Sequence, residues 1–214
     1  MLKSFMKLFL ASYIKHPNSL QALERFVGGF ANKKIVYIPT ASNGKNGWDG
    51  WKQSGSTWEL IQSLGANVKL VLLENYRDKS VVEEIKNCDI LWFGGGMAGY
   101  LMYWIKRCEI DKNIKDILNN GTIFVGSSAG AMVTGQSLQV AEFGFTDNEI
   151  GATDIKPMGL VDFDIYPHYN EKDLEKIKSL YTGKKMYLLK NGEQIIVDGD
   201  KVIVDGEERI IGNN

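Results

Sequence analysis

Little in this sequence points to a metal site or to a disulfide framework. The 214 residues include only two cysteines and two histidines. Cys88 and Cys108 form no CxxC or Cys/His metal spacing, and two thiols in a chain of this length do not suggest structural disulfides. We therefore expect no metal and a reducing, cytoplasmic setting.

Long apolar runs and an excess of one charge are also missing. No stretch approaches the ~20 apolar residues of a membrane span, and Lys7 interrupts the apolar segment near the start, which argues against a secretory signal. The 25 basic and 26 acidic residues leave a net charge of −1. This balance gives no reason to expect nucleic acid or a membrane as a partner. Four prolines and no low-complexity segment mark no linker, so we expect one domain over 1–214, as a monomer or homodimer.

What the chain does contain is a regular alternation of short apolar runs and amphipathic segments. The apolar runs predict strands at 7–12, 33–42, 67–75, 88–96 and 122–126. Helices are predicted at 18–30, 56–65, 80–87, 101–120 and from about Ala129. Strands that are each followed by a helix are typical of an α/β fold with a mostly parallel sheet and helices on both faces. From residue 184 onward, short strands separated by Asp-Gly turns replace this alternation.

The segment GSSAG after the fifth predicted strand matches the pattern G-x-S-x-G. Gly126 and Gly130 flank Ser128 at the required spacing, whereas Ser127 has no such flanks. In this pattern a serine occupies a sharp strand-to-helix turn with strained backbone angles, and the N–H of the next residue, Ala129, faces a developing oxyanion. Ser128 is therefore a candidate nucleophile. A turn that merely lets a helix pack close to a strand, or that binds a phosphate, is the alternative.

A serine nucleophile needs a base, and the chain offers only two histidines. His16 follows the first predicted strand, and we expect it in a solvated loop. His168 lies where the strand-like segment GLVDFDIYPHY ends. Because ligand sites gather at the carboxyl edge of parallel strands, His168 is the candidate base.

The carboxylate that would orient this histidine is harder to identify. Asp162 and Asp164 precede His168 on the same strand, but Asp164 would lie ~13 Å away along an extended chain, beyond hydrogen-bond reach. Asp147 and Glu193 come from predicted loops without that restriction. The sequence leaves the choice between Asp147 and Glu193 open, with Asp147 preferred.

A second glycine cluster, GGG, ends the fourth predicted strand. Gly94, Gly95 and Gly96 carry no side chains, so their N–H groups can approach a ligand closely. Beside a nucleophile, Gly95 and Gly96 would supply the second oxyanion donor. The alternative is a dinucleotide loop, since Gly94, Gly96 and Gly99 fit G-x-G-x-x-G, but no acidic residue ends a strand ~20 positions later, where the partner of the ribose is expected.

Together these motifs resemble peptidase family S51, the group of peptidase E (aspartyl dipeptidase) and cyanophycinase. The resemblance rests on KLFLAS, IVYIPTAS, FGGG, GSSAGA and GLVDFDIYPHY, in that order. It implies a flavodoxin-like fold related to class I glutamine amidotransferases. It also implies Ser128 as nucleophile, His168 as base, and Ala129 with the Gly95 region as oxyanion donors.

The sequence departs from the family pattern in three places. Met97 and Ala98 follow the glycines where the family often has asparagine and threonine. Asn191 stands where one family position for the acid aligns, and Glu193 follows two residues later. The family's substrate aspartate is thought to be bound by an arginine beyond the base, yet segment 169–208 contains none. A lysine does not replace a bidentate arginine well, so strict Asp-X specificity is not expected.

These observations predict a serine-type, dipeptidase-like peptidase that hydrolyses small peptides, with Asp-X dipeptides as one candidate substrate, through an acyl-enzyme on Ser128. This chemistry requires no cofactor. The alternatives are a serine amidase or esterase acting on a non-peptide substrate, and a non-catalytic flavodoxin-like binding protein. Such a binding protein would have no need of the pair Ser128 and His168.

Overall fold

A computed structural model describes residues 6–144, 149 and 151–212 of the chain. Within these residues there are strands in two sheets, together with α-helices and short 3-10 turns. The strands are β1 Lys7–Ala11, β2 Lys34–Ile38, β3 Asn67–Leu70, β4 Ile90–Phe93, β5 Ile123–Ser127, β6 Asp164–Tyr166, β7 Met186–Leu188, β8 Gln194–Asp198, β9 Lys201–Asp205 and β10 Ile210–Ile211. The helices are α1 Pro17–Val27, α2 Thr40–Asn46, α3 Thr57–Gln62, α4 Val81–Ile85, α5 Ala98–Arg107, α6 Ile110–Asn119, α7 Ala129–Met132, α8 Gln139–Phe143 and α9 Leu174–Leu180. None of these helices is both long and apolar enough to cross a bilayer.

The larger sheet has seven strands in the order β3-β2-β4-β5-β1-β8-β9. Strands β1 to β5 are parallel, and the hairpin β8–β9 extends the sheet antiparallel from β1. The predicted mostly parallel α/β sheet is therefore confirmed. The two glycine-rich turns that follow β4 and β5 are neighbours, because those two strands are paired.

The central strands are apolar because both faces of the sheet are covered. Along β4, Leu91 and Phe93 pack into one core, whereas Ile90 and Trp92 pack into the other. Helices α5 and α6 contribute to the first core and α1 to the second. Alternate side chains of a strand point to opposite faces, so this sandwich requires continuous rather than alternating hydrophobicity.

The second sheet has three strands in the order β10-β7-β6. Strand β6 belongs to this small sheet, so His168 does not follow a strand of the main parallel sheet, as the sequence suggested. The last strand-like segments are also shared between sheets, because β7 lies in the small sheet and β8 in the large one. The connection between β7 and β8 thus passes from one sheet to the other.

The structure corrects three details of the predicted elements. Segment 33–42 is not a single strand, because β2 ends at Ile38 and α2 begins at Thr40. The helix predicted over 101–120 is two helices, separated at Glu109, whose φ of +53° breaks the helical path. Helix α1 is capped by His16, whose Nδ1 accepts a hydrogen bond from the N–H of Asn18. His16 is therefore a capping residue rather than a free loop histidine.

Candidate active site

The turn after β5 has the backbone that the G-x-S-x-G pattern predicts. Ser128 lies between β5 and α7 with φ +52° and ψ −113°, a sparsely populated conformation that surrounding structure must hold in place. A Cβ at Gly126 would lie 2.4 Å from the carbonyl oxygen of Gly130, and one at Gly130 would lie 2.3 Å from that of Phe93. Only glycine fits at either position, because the helix packs directly against the ends of β4 and β5.

The two serines of this turn have different surroundings. Ser127 is buried, and its Oγ accepts a hydrogen bond from the backbone N–H of Ile14 at 3.2 Å. Ser128 Oγ instead lies 3.0 Å from Nε2 of His168. The glycine spacing and the side-chain contacts therefore both indicate Ser128, rather than Ser127, as the candidate nucleophile.

His168 comes from the turn after β6 and has a φ of +56°, which is uncommon for a residue with a side chain. Its backbone N–H donates to Ser12 Oγ at 2.7 Å, and Ser12 Oγ donates to the carbonyl oxygen of Leu189 at 3.0 Å. Ser12 is fully buried and directly follows β1. One hydroxyl thus joins the large sheet to two turns of the small sheet. Nothing in the local sequence around Ser12 indicated this role.

On its other side, the imidazole of His168 contacts a carboxamide. Nδ1 of His168 lies 2.7 Å from Oδ1 of Asn191, in the connection between β7 and β8. With a proton on Nδ1, the ring donates to Asn191 and leaves Nε2 to accept from the hydroxyl of Ser128. Asn191 therefore occupies the place of the orienting acid. The resemblance to the family aligns an acid at this position, but here the side chain is a carboxamide.

The acidic candidates are placed elsewhere or are not described. Glu193 forms an ion pair with Arg209 at 2.8 Å and accepts a hydrogen bond from the backbone N–H of Lys190, so its carboxylate serves the β7–β8 connection. Asp147 lies outside the described residues. Asp164 is buried, and its carboxylate accepts hydrogen bonds from the backbone N–H of Gln136 and from the hydroxyl of Tyr181.

The glycine turn after β4 lies directly against the serine. A Cβ at Gly95 would lie 3.3 Å from Cβ of Ser128. Gly96 has a φ of +140°, and a Cβ there would lie 2.1 Å from the carbonyl oxygen of Ala41. Ala129 is the first residue of α7, so its N–H has no acceptor within the helix. The three residues expected to supply oxyanion donors are thus brought to the two turns beside Ser128.

Glu149 occupies the N-terminus of α5, immediately after the glycine turn. Its carboxylate accepts hydrogen bonds from the N–H groups of Ala98 at 2.7 Å, Gly99 at 2.6 Å and Tyr100 at 3.2 Å. A dinucleotide bound to a G-x-G-x-x-G loop places its phosphates at this kind of helix end. A carboxylate already fills the position, which contradicts the dinucleotide alternative.

Ser128 and His168 open into a cleft of about 410 Å³. Trp51 and Tyr37 line one side of it, and Lys15 and Lys45 contribute positive charge. Trp51 is buried and contacts Trp58 edge to face, whereas Trp48, which is not among the lining residues, is 64% exposed. The cleft has the size of a small-ligand site and offers both apolar and cationic contacts.

The surroundings of His168 lower its pKa. The largest cause is partial removal of water by the atoms that crowd the ring, and the positive charge of Lys45 acts in the same direction. The hydrogen bond to Asn191 opposes both effects. The neutral, proton-accepting form of the imidazole is therefore favoured to a lower pH than for a free histidine. Within the described residues, no group of three histidine, cysteine or acidic side chains could hold a metal ion.

Fold and site together define an α/β protein in which a serine on a strained strand-to-helix turn faces a histidine. The sequence profile described as Peptidase family S51 matches residues 8–204, so the chain belongs to that family and is a peptidase of it. The uncharacterized peptidase Lmo0363 from Listeria monocytogenes is 28% identical, covering 89% of this chain and 93% of that protein. Peptidase E from Haemophilus influenzae is 26% identical, and the match covers 73% of this chain and 64% of that enzyme.

The solved structures agree with the family assignment. A crystal structure from Listeria monocytogenes EGD-e assigned to peptidase E superposes with a TM-score of 0.76 and 26% identity, covering 94% of this chain and 98% of the other. A peptidase structure from an acI-B1 actinobacterium has a TM-score of 0.64 at 17% identity, a similarity that concerns the fold alone. The flavodoxin-like, glutamine amidotransferase-like fold expected from the sequence is therefore confirmed.

Proposed function

We propose that this protein is a serine-type peptidase that hydrolyses small peptides through an acyl-enzyme on Ser128. The observation that carries the proposal is the 3.0 Å contact between Ser128 Oγ and His168 Nε2, made by a serine in a strained turn. A binding protein has no use for a strained serine aimed at a histidine. Membership of peptidase family S51 supports cleavage of an amide bond.

In the proposed mechanism, Ser128 Oγ attacks the peptide carbonyl carbon while Nε2 of His168 takes the hydroxyl proton. The N–H groups of Ala129 and of the Gly95–Gly96 turn stabilise the negative oxygen that forms. His168 then returns the proton to the leaving amine, which breaks the C–N bond and leaves an ester on Ser128. Water attacks this ester by the same route and regenerates the serine.

Asn191 acts in this mechanism through His168 rather than on the substrate. Its Oδ1 accepts from Nδ1 and so fixes both the tautomer and the orientation of the ring. A carboxamide does this without a negative charge, so it stabilises the imidazolium less than a carboxylate would. The lowered pKa of His168 is consistent with such a neutral partner, because no described carboxylate contacts the ring to raise it.

For the substrate, we propose short peptides with an acidic first residue, aspartate included, as the first class to test. Support comes from Lys15 and Lys45 in the cleft and from the peptidase E relatives. Lys15 donates to the carbonyl oxygen of Gly55 at 2.5 Å, so part of its hydrogen-bonding capacity is used. Arg209 is paired with Glu193. The cations of the cleft are thus point charges without the bidentate geometry of arginine, and we expect a preference for acidic residues rather than strict selection.

The matched pair of serines provides the decisive experiment. Fluorophosphonate should add one label to the wild type and none to Ser128→Ala, as measured by intact mass. Ser127→Ala is the control: it should keep the label but lose roughly 1–3 kcal/mol of stability, because the buried N–H of Ile14 loses its acceptor. A label that survives Ser128→Ala would refute the assignment. A dipeptide panel varying the first residue then defines the substrate.

The cysteines support a reducing compartment, and we propose the cytoplasm as the site of action. Cys88 and Cys108 are both free thiols. Burial raises the pKa of each to about 11, so neither is a reactive thiolate at neutral pH.

A further inference from the structure

Strand β9 forms one edge of the seven-stranded sheet and is unlike the strand at the other edge. At the opposite edge, β3 has four residues and carries Lys69, which is paired with Glu84, within the strand. Such charges blunt an edge against pairing with another chain. Strand β9 has the sequence KVIVD, with three β-branched apolar residues in the middle and charges only at its ends.

The apolar residues of β9 are exposed to solvent. Val202 is 44% exposed and Ile203 50% exposed, on opposite faces of the strand. Among the described residues, β9 pairs only with β8. In an antiparallel pair, every second residue directs its N–H and C=O away from its partner strand. Strand β9 therefore presents unpaired backbone groups between two exposed apolar side chains.

The sequence of β9 is complementary to itself when a second copy runs antiparallel to it. A two-fold axis through Ile203 places Ile203 opposite Ile203 and Val202 opposite Val204. It also places Lys201 of each copy opposite Asp205 of the other, so that two pairs of opposite charge close the ends. Neither a shift by one residue nor a parallel arrangement matches these charges. Opposite-charge and β-branched pairs across strands are both favourable.

We propose that β9 pairs with β9 of a second copy of this chain, joining two seven-stranded sheets into one continuous sheet. The contact is isologous, as expected for a two-fold homodimer. It lies on the hairpin whose first strand, β8, begins three residues after Asn191. The proposal does not depend on the peptidase mechanism, because none of the β9 residues lines the Ser128 cleft.

Cross-linking tests the register directly. In a Cys88→Ser background, Ile203→Cys places two thiols opposite each other, within the Cα separation of ~4.4–6.8 Å that a disulfide allows. Lys201→Cys is the control, since its two copies would be separated by roughly 13 Å along the strands. We expect mild oxidation to give a covalent dimer with Ile203→Cys and none with Lys201→Cys. Equal cross-linking of both variants would overturn the proposed register.

Sedimentation equilibrium tests the association without any cysteine. The wild type should have twice the mass of the chain, whereas Ile203→Lys should have the mass of one chain. A cooperative thermal unfolding transition of Ile203→Lys should show that the monomer is still folded. Lys201→Glu should weaken the dimer by bringing like charges together, and adding Asp205→Lys should restore it. A wild type that stays monomeric at all concentrations would overturn the proposal and would leave this edge to solvent or to an extended segment of another protein.

Discussion

Replacing Asn191 by aspartate puts a negative charge where a neutral oxygen now accepts from Nδ1 of His168 at 2.7 Å. With the two charge centres ~4 Å apart, the attraction is about 1 kcal/mol in bulk water and about 4 kcal/mol at an effective dielectric constant near 20. His168 is exposed to the cleft, so we take the lower half of this range, about 1–2.5 kcal/mol. This attraction raises the pKa of His168 in the variant.

The sign of the effect on activity follows from the role of the ring. Only the neutral imidazole accepts the serine proton, so activity is lost as the pH falls through the pKa of His168. In the wild type this acid limb should lie below the ordinary value of 6.5, because the pKa is lowered. In Asn191→Asp the limb should move to higher pH, because the added carboxylate raises the pKa of His168. The plateau should rise severalfold, since a carboxylate stabilises the imidazolium better than an amide.

The assay is the pH dependence of kcat/KM, or of the rate of fluorophosphonate labelling if no substrate is in hand. Asn191→Ala should lower the plateau by about 5–30-fold, the equivalent of one hydrogen bond of ~1–2 kcal/mol. Asn120→Asp is the control. Asn120 lies before the amino end of β5, whereas Ser128 follows its carboxyl end, so this substitution adds the same net charge and should leave the acid limb in place. An unmoved limb in Asn191→Asp, together with full activity of Asn191→Ala, would refute Asn191 as the partner of His168.

Three further substitutions separate structural from catalytic roles. Glu193→Gln weakens the ion pair with Arg209, so thermal unfolding should show a loss of about 1–3 kcal/mol, whereas a shifted acid limb would restore Glu193 as the acid. Gly96→Ala should abolish labelling and lower the free energy of unfolding by at least about 2 kcal/mol, because its Cβ would overlap the backbone of Ala41; normal labelling would contradict this. Burial raises the pKa of Asp164 above its ordinary 3.8, so its stabilising contribution is present below that pH and is lost as the pH rises through the raised pKa. The thermal midpoint of the wild type should therefore fall relative to Asp164→Asn as the pH rises above about 4, and parallel curves would contradict this expectation.

The sheet and the turn after β5 could be predicted because their signals are local. Buried parallel strands are continuous apolar runs, and the run ending at Phe93 has this form. The strained turn at Ser128 requires small residues on both sides, so the spacing of two glycines marks it. With two histidines in the chain, the candidates for the base were limited to His16 and His168.

The rest depended on contacts between distant residues. Asn191 meets His168 across 23 residues, and a search for a carboxylate passes over an amide that makes the same hydrogen bond. Ser12 contacts the His168 turn across 156 residues. The break at Glu109 was missed because a left-handed residue without glycine leaves no compositional trace. The contact between Asn191 and His168 and the existence of the second sheet were therefore visible only in three dimensions.

Ser128 and His168 are positioned by different sheets, and this separation has a mechanical consequence. Ser128 is fixed by β5 of the large sheet, whereas His168 follows β6 of the small one. A displacement of the small sheet by a single ångström would lengthen the 3.0 Å contact between Ser128 and His168 beyond a good hydrogen bond while leaving every strand intact. The rate at which fluorophosphonate labels Ser128 should therefore depend on the relative position of the two sheets. A change that removes the hydrogen bonds of the buried Ser12 hydroxyl should therefore slow the reaction of Ser128 while the protein remains folded.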